Sequence, residues 1–153
     1  MFRAIASVIV GYIVMALIVG LSLTGLYLAL GADKAFEPAS WDPSKLWLTL
    51  MFIVGIVAAL AGGLTCKAIA KSAKPPRVLA GIVLVLGILM AALAMGKPAP
   101  TEPRGPDVSN MDAMSKAVTP TWVNVANALI GFAGVMVGAG LGKERAGGAK
   151  TTP

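Results

Sequence analysis

The stretch AIASVIVGYIVMALIVGLSLTGLYLALGA, residues 4–32, contains no charged side chain. At about 1.5 Å of rise per residue, a helix of that length measures roughly 43 Å, against about 30 Å for the hydrocarbon core of a bilayer. It reads as a membrane span that tilts or protrudes. A secretory signal would have an apolar part of only ~7 to 15 residues followed by a small-residue cleavage site. This run greatly exceeds that and no such site follows it, so the helix is expected to be retained.

Working outward, residues 46–66, 78–96 and 117–142 are also free of charge, and each reaches the roughly 17 to 25 residues that a crossing requires. The expected fold is all-α, an antiparallel bundle of four transmembrane helices. It forms one domain over residues 1–145, with spans at 4–31, 44–70, 77–96 and 119–142, and residues 146–153 form a flexible tail. Composition agrees: 57% of the 153 residues are hydrophobic and 13% charged, and the mean hydropathy is +0.81. A soluble domain carries about a quarter charged residues and has no means of hiding this much apolar surface. The lipid bilayer is the expected solvent.

Local chemistry marks the helix ends. Asp42-Pro43 offers an N-cap and a first-turn proline for the second span, and Thr119-Pro120 offers the same for the fourth. Pro75-Pro76 is expected to stop the second span. Trp41, Trp47, Trp122 and Tyr27 lie beside the ends on one side, where amphipathic rings favour the headgroup region.

Charge gives the orientation. One side holds Arg3, Lys67, Lys71, Lys74, Arg77, Lys143, Arg145 and Lys150 against the single acid Glu144. The other holds Lys34, Lys45, Lys97, Arg104 and Lys116 against Asp33, Glu37, Asp42, Glu102, Asp107 and Asp112. The positive-inside rule places both termini and the middle loop in the cytoplasm. Topology then accounts for the net charge of +6, and no nucleic-acid partner is expected.

The second outer loop opens with PAPTEPRGP, residues 98–106, which disfavours helix and reads as an extended, solvated connector. Ser109 and Asp112 then have capping-box spacing, and Met111, Met114 and Val118 recur at helical spacing. A short helix over residues 109–117 is expected along the outer surface. Met111 and Met114 there serve as shielding, or alternatively as a docking or copper site.

Several chemistries are excluded. The chain has no His and one Cys, so no internal disulfide, metal centre or cofactor is expected. No charged residue lies between the ends of a span and no Asp or Glu is membrane-embedded, which argues against proton-coupled export of the small-multidrug-transporter kind. Asp107 and Asp112 are the only acids near a helix end that resemble catalytic carboxylates, and loop residues flank both. No active site is assigned, and the chain is not expected to be an enzyme.

Two sets of residues are candidates for function. Gly134, Gly138 and Gly142 form a side-chain-free strip on the fourth span, and Gly55, Ala59 and Gly63 repeat the spacing on the second. These faces suit either packing among the chain's own helices or docking to a second subunit, including another copy. Ser22, Thr24, Asn124 and Asn127 are at similar depth and are candidates for one buried polar layer, either fixing register or lining a vestibule. Cys66 reads as a reduced interior residue, with acylation or redox sensing as the alternative. The cluster Lys67, Lys71, Lys74 and Arg77 reads as topogenic charge or as a site for anionic headgroups.

The opening MFRAIASVIVGY, the segment WLTLMFIVGIVAALAGG and the stretch from DVSNMDAM to TPTWV resemble small bacterial four-span inner-membrane proteins described as hypothetical. The resemblance covers nearly the whole chain and implies a bacterial inner membrane, but no activity. The reading is a non-enzymatic accessory or scaffold subunit packed through Gly-rich helix faces. The alternative is a small passive channel or carrier for a neutral solute.

Overall fold

The computed structural model describes residues 2–96, 100–105 and 107–147, with side-chain surroundings as far as Leu141. The surroundings of Gly142 lie outside the described residues; of the tail expected over residues 146–153, residues 146–147 continue the last helix and the rest lie outside the described residues. In chain order the helices are α1 (Phe2–Leu30), α2 (Ala32–Ala35), α3 (Lys45–Ala70), α4 (Lys74–Met95), α5 (Asn110–Lys116) and α6 (Thr121–Gly147). α1, α3, α4 and the Thr121–Leu141 part of α6 are long and apolar enough to cross a membrane. The chain is a multi-pass, all-α membrane protein.

The helix ends correct three of the sequence expectations. Ser44, not Asp42, caps α3: its hydroxyl accepts the amide N–H of Trp47 at 3.1 Å and donates to the carbonyl of Lys34. The Asp42 carboxylate is already engaged by the Ser40 hydroxyl at 2.7 Å, and Pro43 pairs with Phe36 in an isolated β-bridge. At the other end of α3 the stop is Lys71, which adopts a left-handed φ of 53°. Pro75 and Pro76 sit instead in the first turn of α4, where a residue without an N–H leaves nothing unsatisfied. Pro120 likewise precedes α6, its carbonyl accepting the Val123 and Asn124 amides at 3.0 and 3.4 Å.

Around the bundle the order is α1, α3, α6, α4. α3 packs extensively on α6 and α1, and α4 packs extensively on α6, whereas the consecutive pair α3 and α4 touch only sparsely. The buried faces consist largely of small residues: Ala58, Ala59, Gly62, Gly63 and Cys66 on α3, and Ser7 and Gly11 on α1. In lipid there is little hydrophobic drive between helices, so association depends on close backbone approach. Methyl groups at Gly63 and Gly138 would collide with the backbone carbonyls of Val135 and Leu60. The two helices therefore meet backbone to backbone.

Candidate functional site

At the end of the bundle opposite the α3–α4 turn, the two long connections fold together into a cap. Its core is Tyr27, Ala32, Ala35, Phe36, Trp41 and Ala113, with Trp47, Val108, Ala117 and Val118 packed against it. Phe36 meets Trp41 edge-on at 5.9 Å between ring centres, and Tyr27 meets Trp47 the same way at 6.0 Å. Such edge-to-face pairs place a positive ring edge on a negative ring face.

Polar contacts tie the second connection onto this core. Tyr27 donates its hydroxyl to the carbonyl of Val108 at 2.8 Å, and the Trp41 indole N–H donates to the carbonyl of Glu102 at 3.0 Å. The Val118 amide donates to the carbonyl of Trp41 at 3.0 Å. Arg104 is buried, with its guanidinium 5.8 Å from the centre of the Phe36 ring and 3.0 Å from the Asp33 carboxylate. Its Nε has no hydrogen-bond partner among the described residues. Lys116 completes the set, its ammonium 5.3 Å from the centre of the Trp41 ring.

These contacts correct two expectations. Residues 100–105 of the Pro-rich segment are irregular, as their composition dictates, but are anchored by Glu102 and Arg104 rather than free in solvent. An extended backbone makes no internal hydrogen bonds, so its carbonyls are available to donors such as the Trp41 N–H. Trp41 and Tyr27 are 8% and 5% exposed and build the cap core instead of anchoring in headgroups. Of the four aromatic residues only Trp122 is largely exposed, at 59%.

The short helix α5 begins as its sequence dictates. Ser109 caps it, accepting the Asp112 amide at 3.1 Å, while the Asp112 carboxylate accepts the Ser109 hydroxyl at 2.7 Å. Ala113 faces the core, and Met111 and Met114 are largely exposed, Met114 also bordering the cavity under the cap.

Beneath the cap lies a cavity of about 270 Å³ whose walls include Thr24, Tyr27, Phe36, Trp47, Met51 and Met114. A more polar recess of about 390 Å³ opens on the cap itself, bordered by Trp41, Glu102, Asp107, Asp112 and Lys116. Among the described residues no group of three or more His, Cys, Asp or Glu side chains is placed to hold a metal ion.

The two candidate sets from the sequence fare differently. Gly134 lies against Ala59, Gly63 against Val135 and Gly138 against Leu60, so these strips face each other across the α3–α6 interface. Gly55 lies one turn or more toward the cap, opposite Asn127, whose Oδ1 would be 3.8 Å from a methyl placed there. Ser22, Thr24, Asn124 and Asn127 are not brought into one layer. α1 and α6 make no substantial contact, Thr24 lines the cavity under the cap, and Asn124 lines a separate one of about 280 Å³ beside Met90 and Ser115. Similar depth is a coordinate along the bundle axis; it says nothing about which helices are neighbours.

Sequence reasoning missed Arg104 as the residue that joins the two connections. The available signal was a lone cation in the Pro-rich segment, facing a first connection that carries Asp33, Phe36 and Trp41. Compared with known protein families, curated proteins and solved structures, the chain matches none.

Proposed function

We propose that the chain is a non-enzymatic accessory or scaffold subunit of a bacterial inner membrane, which presents its cap to a second membrane protein outside the cytoplasm. The observation that carries this reading is the cap. Two connections that need only join spans are instead folded around six buried residues and tied by Tyr27, Trp41 and Arg104, which fixes a surface in one shape. Fixed shape lowers the ordering cost of association. Orientation rests on the excess of cations at the end with the α3–α4 turn, and the bacterial inner membrane on the resemblance of the chain to small four-span proteins. The non-enzymatic reading rests on a sequence with no His and one Cys, whose only candidate catalytic carboxylates, Asp107 and Asp112, are flanked by loop residues.

A second reading, passive permeation of a neutral solute, draws on the cavity under the cap. Its floor would have to open along the α1–α3 contact, where Gly11 and Gly62 bring the two helices close together.

The test is native mass spectrometry of the tagged chain in mild detergent, wild type beside Trp41→Ala. A stoichiometric second protein that is retained by the wild type and lost from the variant, with the bundle still folded, supports the scaffold reading. A lone monomer or homo-oligomer whose liposomes pass a neutral solute, and lose that flux in Thr24→Trp, which fills the cavity under the cap, overturns it in favour of permeation.

A further inference from the structure

At the end of the bundle opposite the cap, α1 and α4 start side by side and run parallel, leaving a groove of about 440 Å³ between Ile5, Val8 and Ile9 on one wall and Val78 and Ile82 on the other. Ile5, Ile9 and Val78 are 61%, 53% and 54% exposed, so the groove opens on the lipid-facing surface. Lys74 stands at its end. Arg77 follows one turn later on the same helix, and both side chains are exposed with no salt bridge to a described residue.

The neighbouring cation is used differently. Arg3 donates its Nε to the carbonyl of Ile69 at 2.7 Å, closing the C-terminal turn of α3, where a positive charge is stabilised by the negative end of the helix dipole. Lys74 and Arg77 have no such task, and the two prolines between them leave few free backbone N–H groups in that turn.

We propose that this groove seats one phospholipid with an anionic headgroup. An acyl chain lies along Ile5, Ile9, Val78 and Ile82, and the phosphate is held over Lys74 and Arg77. From Lys74 to Ile82 the wall is about 12 Å long, enough for the upper part of a chain. Charge complementarity selects the occupant. Hydrocarbon satisfies the apolar walls, and only a negative headgroup satisfies Lys74 at the end of the groove and the exposed Arg77 one turn along the same helix.

The full-length protein in mild detergent, equilibrated with phosphatidylglycerol or phosphatidylcholine and read by native mass spectrometry, tests this. The wild type is expected to retain one phosphatidylglycerol in preference to phosphatidylcholine. Lys74→Ser and Arg77→Ser should each lower that preference about fivefold. Lys67→Ser, at the same end but outside the groove, should leave it unchanged. Val78→Trp, which fills the groove, should lose both lipids. Equal retention of the two lipids overturns the proposal, as does an effect of Lys67→Ser equal to that of Lys74→Ser. An adduct that survives Val78→Trp also overturns it.

Discussion

The guanidinium of Arg104 lies 3.0 Å from the carboxylate of Asp33, joining residues 71 positions apart in the chain. The two partners are unlike in their surroundings, since the side chain of Arg104 is 4% exposed and that of Asp33 79%. The ion pair is therefore partly screened by water and is worth about 1 kcal/mol or less. Most of what Arg104 contributes is its stem buried in the cap and its contact with Phe36.

Arg104→Ala is accordingly expected to destabilise the cap by about 2 kcal/mol, whereas Asp33→Asn costs under about 1 kcal/mol. Limited proteolysis at Lys116 reads the difference. Equal sensitivity of the two variants would mean that the ion pair, not the buried stem, carries the contribution of Arg104.

Tyr27→Phe removes one donor from the carbonyl of Val108 and leaves the aromatic packing in place. Its expected cost is about 1 kcal/mol, and Ser109→Ala should cost a similar amount through loss of the α5 cap. Hydrogen exchange of the α5 amides is the measurement: both variants should exchange faster there, with α3 and α6 unchanged.

The glycines divide into two classes. Gly63→Ala and Gly138→Ala push a methyl against backbone, which has no rotamer with which to yield, and should each destabilise by about 1–3 kcal/mol. Gly20 and Gly81 have nothing within 4 Å of an added methyl. Alanine at these two sites should be neutral or stabilising by up to about 1 kcal/mol through helix propensity. Unfolding midpoints in dodecyl sulphate rank the four variants.

Orientation is accessible through thiol labelling, because the native Cys66 is buried and gives little background. Ser115→Cys should react with an impermeant maleimide applied outside intact cells, and Ser72→Cys only after the membrane is opened. The reverse pattern would place the cap in the cytoplasm.

Four spans, the short surface helix and the close-packing glycines were legible because each depends on residues near one another in the chain. Uncharged length identifies a crossing, Ser109 three residues before Asp112 identifies a helix start, and four-residue spacing puts Gly134 and Gly138 on one face. The rest depends on which elements become neighbours. Ser22 and Thr24 cannot meet Asn124 and Asn127, because α1 and α6 are diagonal to one another. Trp41 reads as an interfacial anchor until the segment around Glu102 is seen to cover it. Helix boundaries near proline fell between these cases: Pro43, Pro75 and Pro76 do lie beside helix boundaries, but the boundaries themselves are set by Ser44 and by the left-handed Lys71.

The sparse contact between α3 and α4 bears on how the protein is made. These two spans follow one another through the insertion machinery, yet α4 finds its extensive partner, and α3 its second after α1, in α6, which is synthesised later. Until α6 is inserted, α4 sits in the bilayer with most of its packing face toward lipid, and the Gly63 surface of α3 has no backbone against it. Chains interrupted between α4 and α6 should therefore be loose assemblies and ready substrates for membrane proteases, so that arrival of α6 acts as the checkpoint for survival.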